Sequence, residues 1–294
     1  MKLIEGLKTD TERALYGIKD TKIVKCTFEG PADGESALKE TSDIEAEDCD
    51  FRLRYPLWHS HNAKISDCRF SDTSRAAVWY CNNFTADNCD FYGIKVLREC
   101  VGVHIGNSRF VSPEMCWMCR DVTLTDCEIT SEYPFLCTKD LKLSKVTMTG
   151  KYSFQYTENV LIENSILNTK DAFWHSRNVT VKNSTVSGEY LGWYSENLTL
   201  IDCVIKGTQP LCYADNLTLI NCEMSDCDLS FEKSTVNVKV NGNIDGVKNP
   251  HGGTIEADSI GLITMTEPPV SSLRIIQRKQ SENNPEIVIK KSDK

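Results

Sequence analysis

Asn178-Val-Thr-Val-Lys-Asn-Ser-Thr-Val186, Asn197-Leu-Thr-Leu-Ile-Asp-Cys-Val-Ile205 and Asn216-Leu-Thr-Leu-Ile-Asn-Cys-Glu-Met224 are one nine-residue pattern repeated at a spacing of 19. Outward from them, Cys89, Ser108, Cys127, Val146, Ser165, Ser184, Cys203 and Cys222 keep that period without insertion or deletion. The register extends back, with small insertions, through Cys68, Cys49 and Cys26. A fixed period this short is the signature of a solenoid, in which each coil buries its apolar side only by stacking on its neighbours.

We number each coil from the cysteine position as slot 0. Slots −5 and −3 are apolar (Val160 and Ile162, Val179 and Val181, Leu198 and Leu200), as is slot +2 (Phe28, Phe51, Phe70, Phe91, Phe110, Ile129). The slots between carry mostly Thr, Lys, Glu or Ser, the period-two alternation of a strand with one buried face. Equivalent slots recur in the same chain direction, so the strands pair in parallel and in register. Slot −6 is Asp or Asn in ten coils, from Asp20 to Asn216, and Gly102 in one. Those residue types tolerate a left-handed backbone, so this slot reads as a turn ladder and the sequons within it as scaffold. Slot +1 alternates in sign through Asp50, Arg69, Asp90, Arg109 and Glu128, as like charges stacked one rung apart would repel. A 19-residue coil lacks the six-residue period of left-handed β-helices. The fold class is therefore all-β, a right-handed parallel β-helix.

The whole chain, 1–294, is expected to be a single domain, with coils over 16–243 and a C-terminal cap and tail over 244–294. In that tail Leu273–Ile276 and Ile287–Lys290 read as strands covering the open end of the solenoid. The formal charge of −9 argues against nucleic acid as a partner. No apolar run is long enough for a membrane span or a signal peptide, which gives no membrane partner and a cytoplasmic expectation. Fourteen cysteines follow the repeat rather than a pairing rule, in slots that elsewhere hold Ser, Thr, Ala or Val, so they are expected to be reduced and structural. The single Cys116-Trp-Met-Cys119 is weak as a metal or redox motif. No metal site and no cofactor are expected.

Several strings are more specific than the repeat: Pro31-Ala-Asp-Gly-Glu-Ser-Ala-Leu-Lys-Glu40, Arg54-Tyr-Pro-Leu-Trp-His59, Gly93-Ile-Lys-Val-Leu-Arg-Glu-Cys100, Lys170-Asp-Ala-Phe-Trp-His-Ser176, Gly188-Glu-Tyr-Leu-Gly-Trp-Tyr-Ser195 and Gly207-Thr-Gln-Pro-Leu-Cys-Tyr213. They resemble the microbial domain-of-unknown-function family 3737 over nearly the whole chain. The resemblance implies a pectin-lyase-like β-helix and brings no catalytic residues, so function has to be argued from the site.

The third strand of each coil departs from simple packing. All five tryptophans, Trp58, Trp79, Trp117, Trp174 and Trp193, fall in slot −10, which holds Arg98 and Gln155 in other coils. Slot −9 holds His59, Tyr80, His175, Tyr194 and Tyr213, and slot −13 holds Tyr55, Asp171 and Tyr190. Two readings stay open. In the first the rings only stack, with Arg98 sandwiched between Trp79 and Trp117, in a structural or assembly protein whose ladder is architecture or is buried in a homo-oligomer. In the second they form a face for a carbohydrate or glycoconjugate, with Trp58, Trp79, Arg98, Trp117, Asp171, Trp174, His175, Tyr190, Trp193 and Tyr194 as binding residues and Asp171 and His175 as the chief polar contacts. A polysaccharide lyase or glycoside hydrolase is a third possibility. Its carboxyl pair is not obvious, because Glu114 and Asp171 are three coils apart, about 14 Å at β-rung spacing, beyond the reach of a glycosidase pair. Asp171 with Glu189 or His175 supplies the residue types only.

Overall fold

The computed structural model describes residues 1–279 and 286–289, in two compact units, Met1–Gly150 and Lys151–Lys294. Each is a parallel β-solenoid without a helix among the described residues. From Cys89 to Cys203 each 19-residue coil carries a long strand over slots −7 to −2 and a short one from slot +1, and in the Cys222 coil the two merge into Leu217–Ser225. In Lys151–Lys294 these are Arg177–Lys182 with Thr185–Ser187, then Glu196–Ile201 with Val204–Lys206. Val179 stands beside Leu198 and Val181 beside Leu200, one coil apart and in parallel.

The expected inward slots are inward. Val179, Val181, Leu198 and Leu200 are buried, and in Met1–Gly150 slot +2 becomes a buried column in which Phe28, Phe51, Phe70, Phe91 and Phe110 stack at 4.7–4.9 Å between ring centres. Rung spacing in a β-solenoid is about 4.8 Å, so identical rings one coil apart meet face to face without adjustment. The charge alternation is likewise in register, with Asp50 beside Arg69, Arg69 beside Asp90, and Arg109 beside Glu128.

Every slot −6 residue adopts the left-handed conformation, Asp20 through Asn216 at φ 50–58° and Gly102 at 69°. Their amides form a ladder along the corner: Asn178 Nδ2 donates to Asn159 at 3.2 Å, Asn197 to Asn178 at 3.0 Å, and Asn216 to Asn197 at 2.7 Å. A second left-handed corner lies at slot −1, through Asp48, Asp67, Asn88, Asn107, Asn164, Asn183, Asp202 and Asn221.

All fourteen cysteines are free thiols, and thirteen of them are buried. Their slots ask for more than small size. The Cys26 thiol donates to the Val24 carbonyl at 3.3 Å, the Cys68 thiol to Ser66 O at 3.1 Å, and at Ser108 and Ser184 a hydroxyl donates to the equivalent carbonyl at 2.6 Å. The slot also accepts an N–H from the coil before, as Cys89 N–H donates to Ser108 Oγ at 3.0 Å and Cys26 N–H to Cys49 Sγ at 3.4 Å. Cys and Ser alternate here because either satisfies both groups.

Two boundaries differ from the sequence expectation. Parallel pairing begins at Lys2–Glu5, which lies against Thr21–Val24, and continues beyond Asn243: Gly252–Ala257 pairs with Thr235–Asn241, and Leu273–Gln277 with Gly252–Ala257. The segment read as a cap thus adds further parallel rungs, which the 19-residue pattern hid because their spacing changes. Glu286–Ile289 then runs antiparallel to Leu273–Gln277, while Lys290 of the expected last strand lies outside the described residues. The third strand also differs. It is present in five coils of Met1–Gly150, from Leu57–Trp58 to Tyr133–Pro134, whereas the same slots around Phe154, Phe173 and Gly192 are turns.

Phe70→Ala is expected to lower the free energy of unfolding by about 3–5 kcal/mol, because it opens a hole in a dry column. Asn197→Ala is expected to cost about 1–2 kcal/mol for its left-handed backbone, and Asn197→Gly measurably less; urea midpoints check both. A thiol titration of the unfolded, unreduced chain should return fourteen, and a value lower by pairs would contradict the free-thiol assignment.

Candidate functional site

The aromatic face is built on a strained backbone. Slot −9 residues are all left-handed, including His59, Tyr80, His175, Tyr194 and Tyr213 at φ 52–57°, as are Tyr55, Asp171 and Tyr190 in slot −13 and Phe154 and Phe173 in slot −11. A left-handed bulky residue costs about 1–2 kcal/mol, and here stacking along the column offsets it. The conformation throws slot −10 and −9 side chains outward while slots −11 and −8 stay inside: Leu57, Val78, Phe173, Ser60 and Ser176 are buried, and the five tryptophans are half-buried.

In Met1–Gly150 the ladder is closed by its own members. Trp58 and Trp79 stack at 5.6 Å and 11°. Lys39, which precedes Trp58 in the same slot, covers the outer side of that pair with Nζ 4.4 Å from the Trp58 ring centre. On the other side Arg98 lies between Trp79 and Trp117, 5.8 and 5.2 Å from their centres. The expected guanidinium sandwich is therefore present. Tyr55 leans on both rings of the Trp pair at 5.7 and 6.1 Å, and Trp117 Nε1 donates to the Tyr133 carbonyl at 2.6 Å. Arg98 also lies 3.9 Å from Glu114 and 3.8 Å from Glu99, in loose ion pairs. Both faces of Trp58 and Trp79 are occupied, so no sugar ring can be laid flat on either without displacing a neighbour.

In Lys151–Lys294 the arrangement is different. Here the continuous column is slot −9: Tyr156, His175 and Tyr194 stack at 5.0–5.1 Å and Tyr213 follows at 5.1 Å, tilted by 31°, with Tyr156 53% and Tyr194 44% exposed. Trp174 lies nearly parallel to His175 at 16°, but Trp193 stands at 84° to Tyr194, 69° to Tyr190 and 55° to Tyr213. The next coil has the small Cys212 in slot −10, so Trp193 has no ring to stack on there and tilts among three tyrosines. Trp174 Nε1 and Trp193 Nε1 are buried donors that lack a protein acceptor.

Asp171 and Tyr190 border this patch. Burial is the chief cause that raises the Asp171 pKa above its usual 3.8; nearby Lys170 opposes the rise and Glu189 adds to it. Lys170 is held by Glu189 at 2.7 Å and lies over the Tyr190 ring at 5.2 Å. The patch thus combines exposed aromatic edges, a tilted indole and a carboxyl that takes up a proton more readily than an ordinary aspartate. Further along the same side sit Gln209, Glu232 and Lys248, with the Glu232 carboxylate 3.0 Å from Lys248 Nζ and 3.5 Å from Gln209 Nε2.

Of the ten residues singled out in the sequence, Trp58, Trp79, Arg98 and Trp117 gather in one cluster, and Asp171, Trp174, His175, Tyr190, Trp193 and Tyr194 in another. Lys39 was readable, since it lies ten residues before Cys49. Glu232 was not, because pairing shifts register between Leu219 and Cys222 and the 19-residue count fails beyond it. Two surface cavities, of about 220 Å³ around Asp90 and Arg109 and about 360 Å³ around Asp215 and Thr235, both lie away from the aromatic face. Among the described residues no three His, Cys, Asp or Glu side chains converge as a metal cluster.

The Asp171 shift has a definite sign. A carboxyl whose folded pKa is above its unfolded value contributes stability that is full below the unfolded value and is lost as pH rises through the folded one. Asp171→Asn is therefore expected to gain in melting temperature relative to wild type between pH 3 and pH 7. A difference independent of pH would remove the carboxyl from this account.

No curated protein matches the sequence. Among solved structures, the A-module of the mannuronan C-5 epimerase AlgE6 of Azotobacter vinelandii is similar, with 11% identity over 85% of this chain and 91% of that one and a TM-score of 0.44. A surface adhesin of Streptococcus pneumoniae, PfbA, gives 10% identity over 97% and 79% with a TM-score of 0.34. HetL, a pentapeptide repeat protein of the cyanobacterium Nostoc, gives 12% over 75% and 91% with 0.28. Specific recognition comes from the sequence: the profile described as "Protein of unknown function (DUF3737)" matches residues 2–276, and the chain belongs to that family.

Proposed function

We propose that the chain is a carbohydrate- or glycoconjugate-binding β-helix whose binding face is the aromatic patch of Lys151–Lys294, formed by Asp171, Trp174, His175, Tyr190, Trp193 and Tyr194. The observation that carries the reading is the tilt of Trp193 at 84° to Tyr194, beside an exposed Tyr–His column. An indole withdrawn from its own stack is one whose face a ligand ring can cover, and exposed aromatic patches of this kind mark interaction sites. A carboxyl of raised pKa both donates and accepts, which suits hydroxyl-rich ligands.

A second reading applies to Met1–Gly150, where the covered faces of Trp58 and Trp79 favour a purely architectural ladder. The lyase or glycosidase alternative rests on Asp171 next to Glu189 and Lys170. Fourteen free thiols are in keeping with a reducing compartment, and we take the cytoplasm as the site of action.

A glycan array on the intact protein, followed by titration of the best binder, tests the proposal. Trp193→Ala and Trp174→Ala are expected to weaken binding by at least tenfold. Trp79→Ala is expected to leave it unchanged while lowering stability, through loss of the Trp58 and Arg98 contacts. Absence of any bound glycan, or equal loss in all three variants, would overturn it.

A further inference from the structure

The buried thiols of Met1–Gly150 form two columns. Cys26, Cys49, Cys68 and Cys89 occupy slot 0 of successive coils, and Cys81, Cys100 and Cys119 slot −8 of successive coils, all at most 2% exposed. The thiols within a column are neighbours in register, one coil apart. The Cys68 thiol is pushed up chiefly by its neighbours Cys49 and Cys89, and the Cys119 thiol first by burial and then by Cys100 and by Cys116 of its own coil. Each sulfur holds one orientation, with its own-coil carbonyl at 3.1–3.3 Å for Cys26, Cys49, Cys68 and Cys89, and at 3.3–3.5 Å for Cys81, Cys100 and Cys119. Like sulfurs in register therefore stand about one rung, roughly 4.8 Å, apart.

Structure alone does not require sulfur here. Ser108 and Ser184 make the same two backbone hydrogen bonds in slot 0, and Ser60, Ser176 and Ser195 fill slot −8 fully buried. What an unbroken run of thiols adds is affinity for soft cations. The spacing decides which kind. A disulfide needs its sulfurs at about 2.05 Å, far less than one rung. Two metal–thiolate bonds in a line, each near the zinc–sulfur length of about 2.3 Å, span about 4.6 Å, close to one rung. A tetrahedral ion needs three or four converging ligands, and no such group is found among the described residues. A two-coordinate ion needs only a facing pair.

We propose that the two cysteine columns are binding sites for a soft, linearly coordinated d¹⁰ cation, Cu(I) in the first instance, held between thiolates of successive coils. Binding releases two protons: two thiols and one Cu(I) give a bis-thiolate of net charge −1, with no change of oxidation state. Soft thiolate ligands favour Cu(I), zinc and iron–sulfur clusters, and of these Cu(I) is the one satisfied by two ligands in a line. An interior thiol such as Cys49 or Cys100 can bridge the ions above and below it.

The test is to refold the reduced full-length chain anaerobically with Cu(I) and challenge it with a chromophoric Cu(I) chelator. Melting temperature is not the readout, because unfolded thiols also bind copper. Expected is retention of several equivalents against a chelator that strips the unfolded chain, with X-ray absorption reporting two sulfur neighbours per copper. Cys100→Ser with Cys119→Ser is expected to fold, since serine already serves in that slot, and to lose the copper of its column only. Cys137→Ser, at the exposed thiol, is expected to lose none. Loss of all copper to the chelator, three or four neighbours per copper, or unchanged stoichiometry in the double variant would each overturn the proposal.

Discussion

In a parallel solenoid every side chain stands over the residue in the same slot one coil away, about 4.8 Å distant. Nearly everything else in this protein follows from that constraint. Rings stack on rings at 4.7–4.9 Å along Phe28 to Phe110, amides bond amides from Asn159 to Asn216, and charges of opposite sign lie side by side. The same constraint lets residues such as Tyr194 and Phe173 hold a left-handed backbone at φ 55° and 63° that none would adopt alone.

A column stabilises its members only while it continues, and the places where it stops are the informative ones. Trp58 and Trp79 are covered on both sides, by Lys39 and by Arg98, and a covered ring face has nothing left to offer a ligand. Trp193 meets Cys212 in the next coil and tilts instead. The chemistry of the aromatic face is thus set by slot neighbours rather than by the tryptophans themselves. The same holds for sulfur: one buried cysteine among serines is packing, while three or four in succession are a row of ligands.

The coils, the inward slots and the slot −6 corner were legible because each is specified by residue type at a fixed period: Val179 and Val181 inside, Asn197 turning. The slot −13 to −9 bend was not, since its left-handed positions carry Phe173, His175 and Tyr194, types that give no local signal for such a backbone. The Arg98 sandwich was legible, because two tryptophans flank it at exact period. The opposite states of Trp79 and Trp193 were not. Both read as Trp in slot −10; their neighbours Arg98 and Cys212 differ in the sequence, but the ring orientations that result are seen only in the structure. The rungs beyond Asn243 were hidden by their changed spacing.

The central claim is that neighbours in one slot are energetically coupled, and Trp79 with Arg98 is its clearest case. A double-mutant cycle using Trp79→Leu and Arg98→Met, read by urea unfolding, measures that coupling directly. The account predicts about 0.5–2 kcal/mol of favourable interaction; a coupling indistinguishable from zero would contradict it.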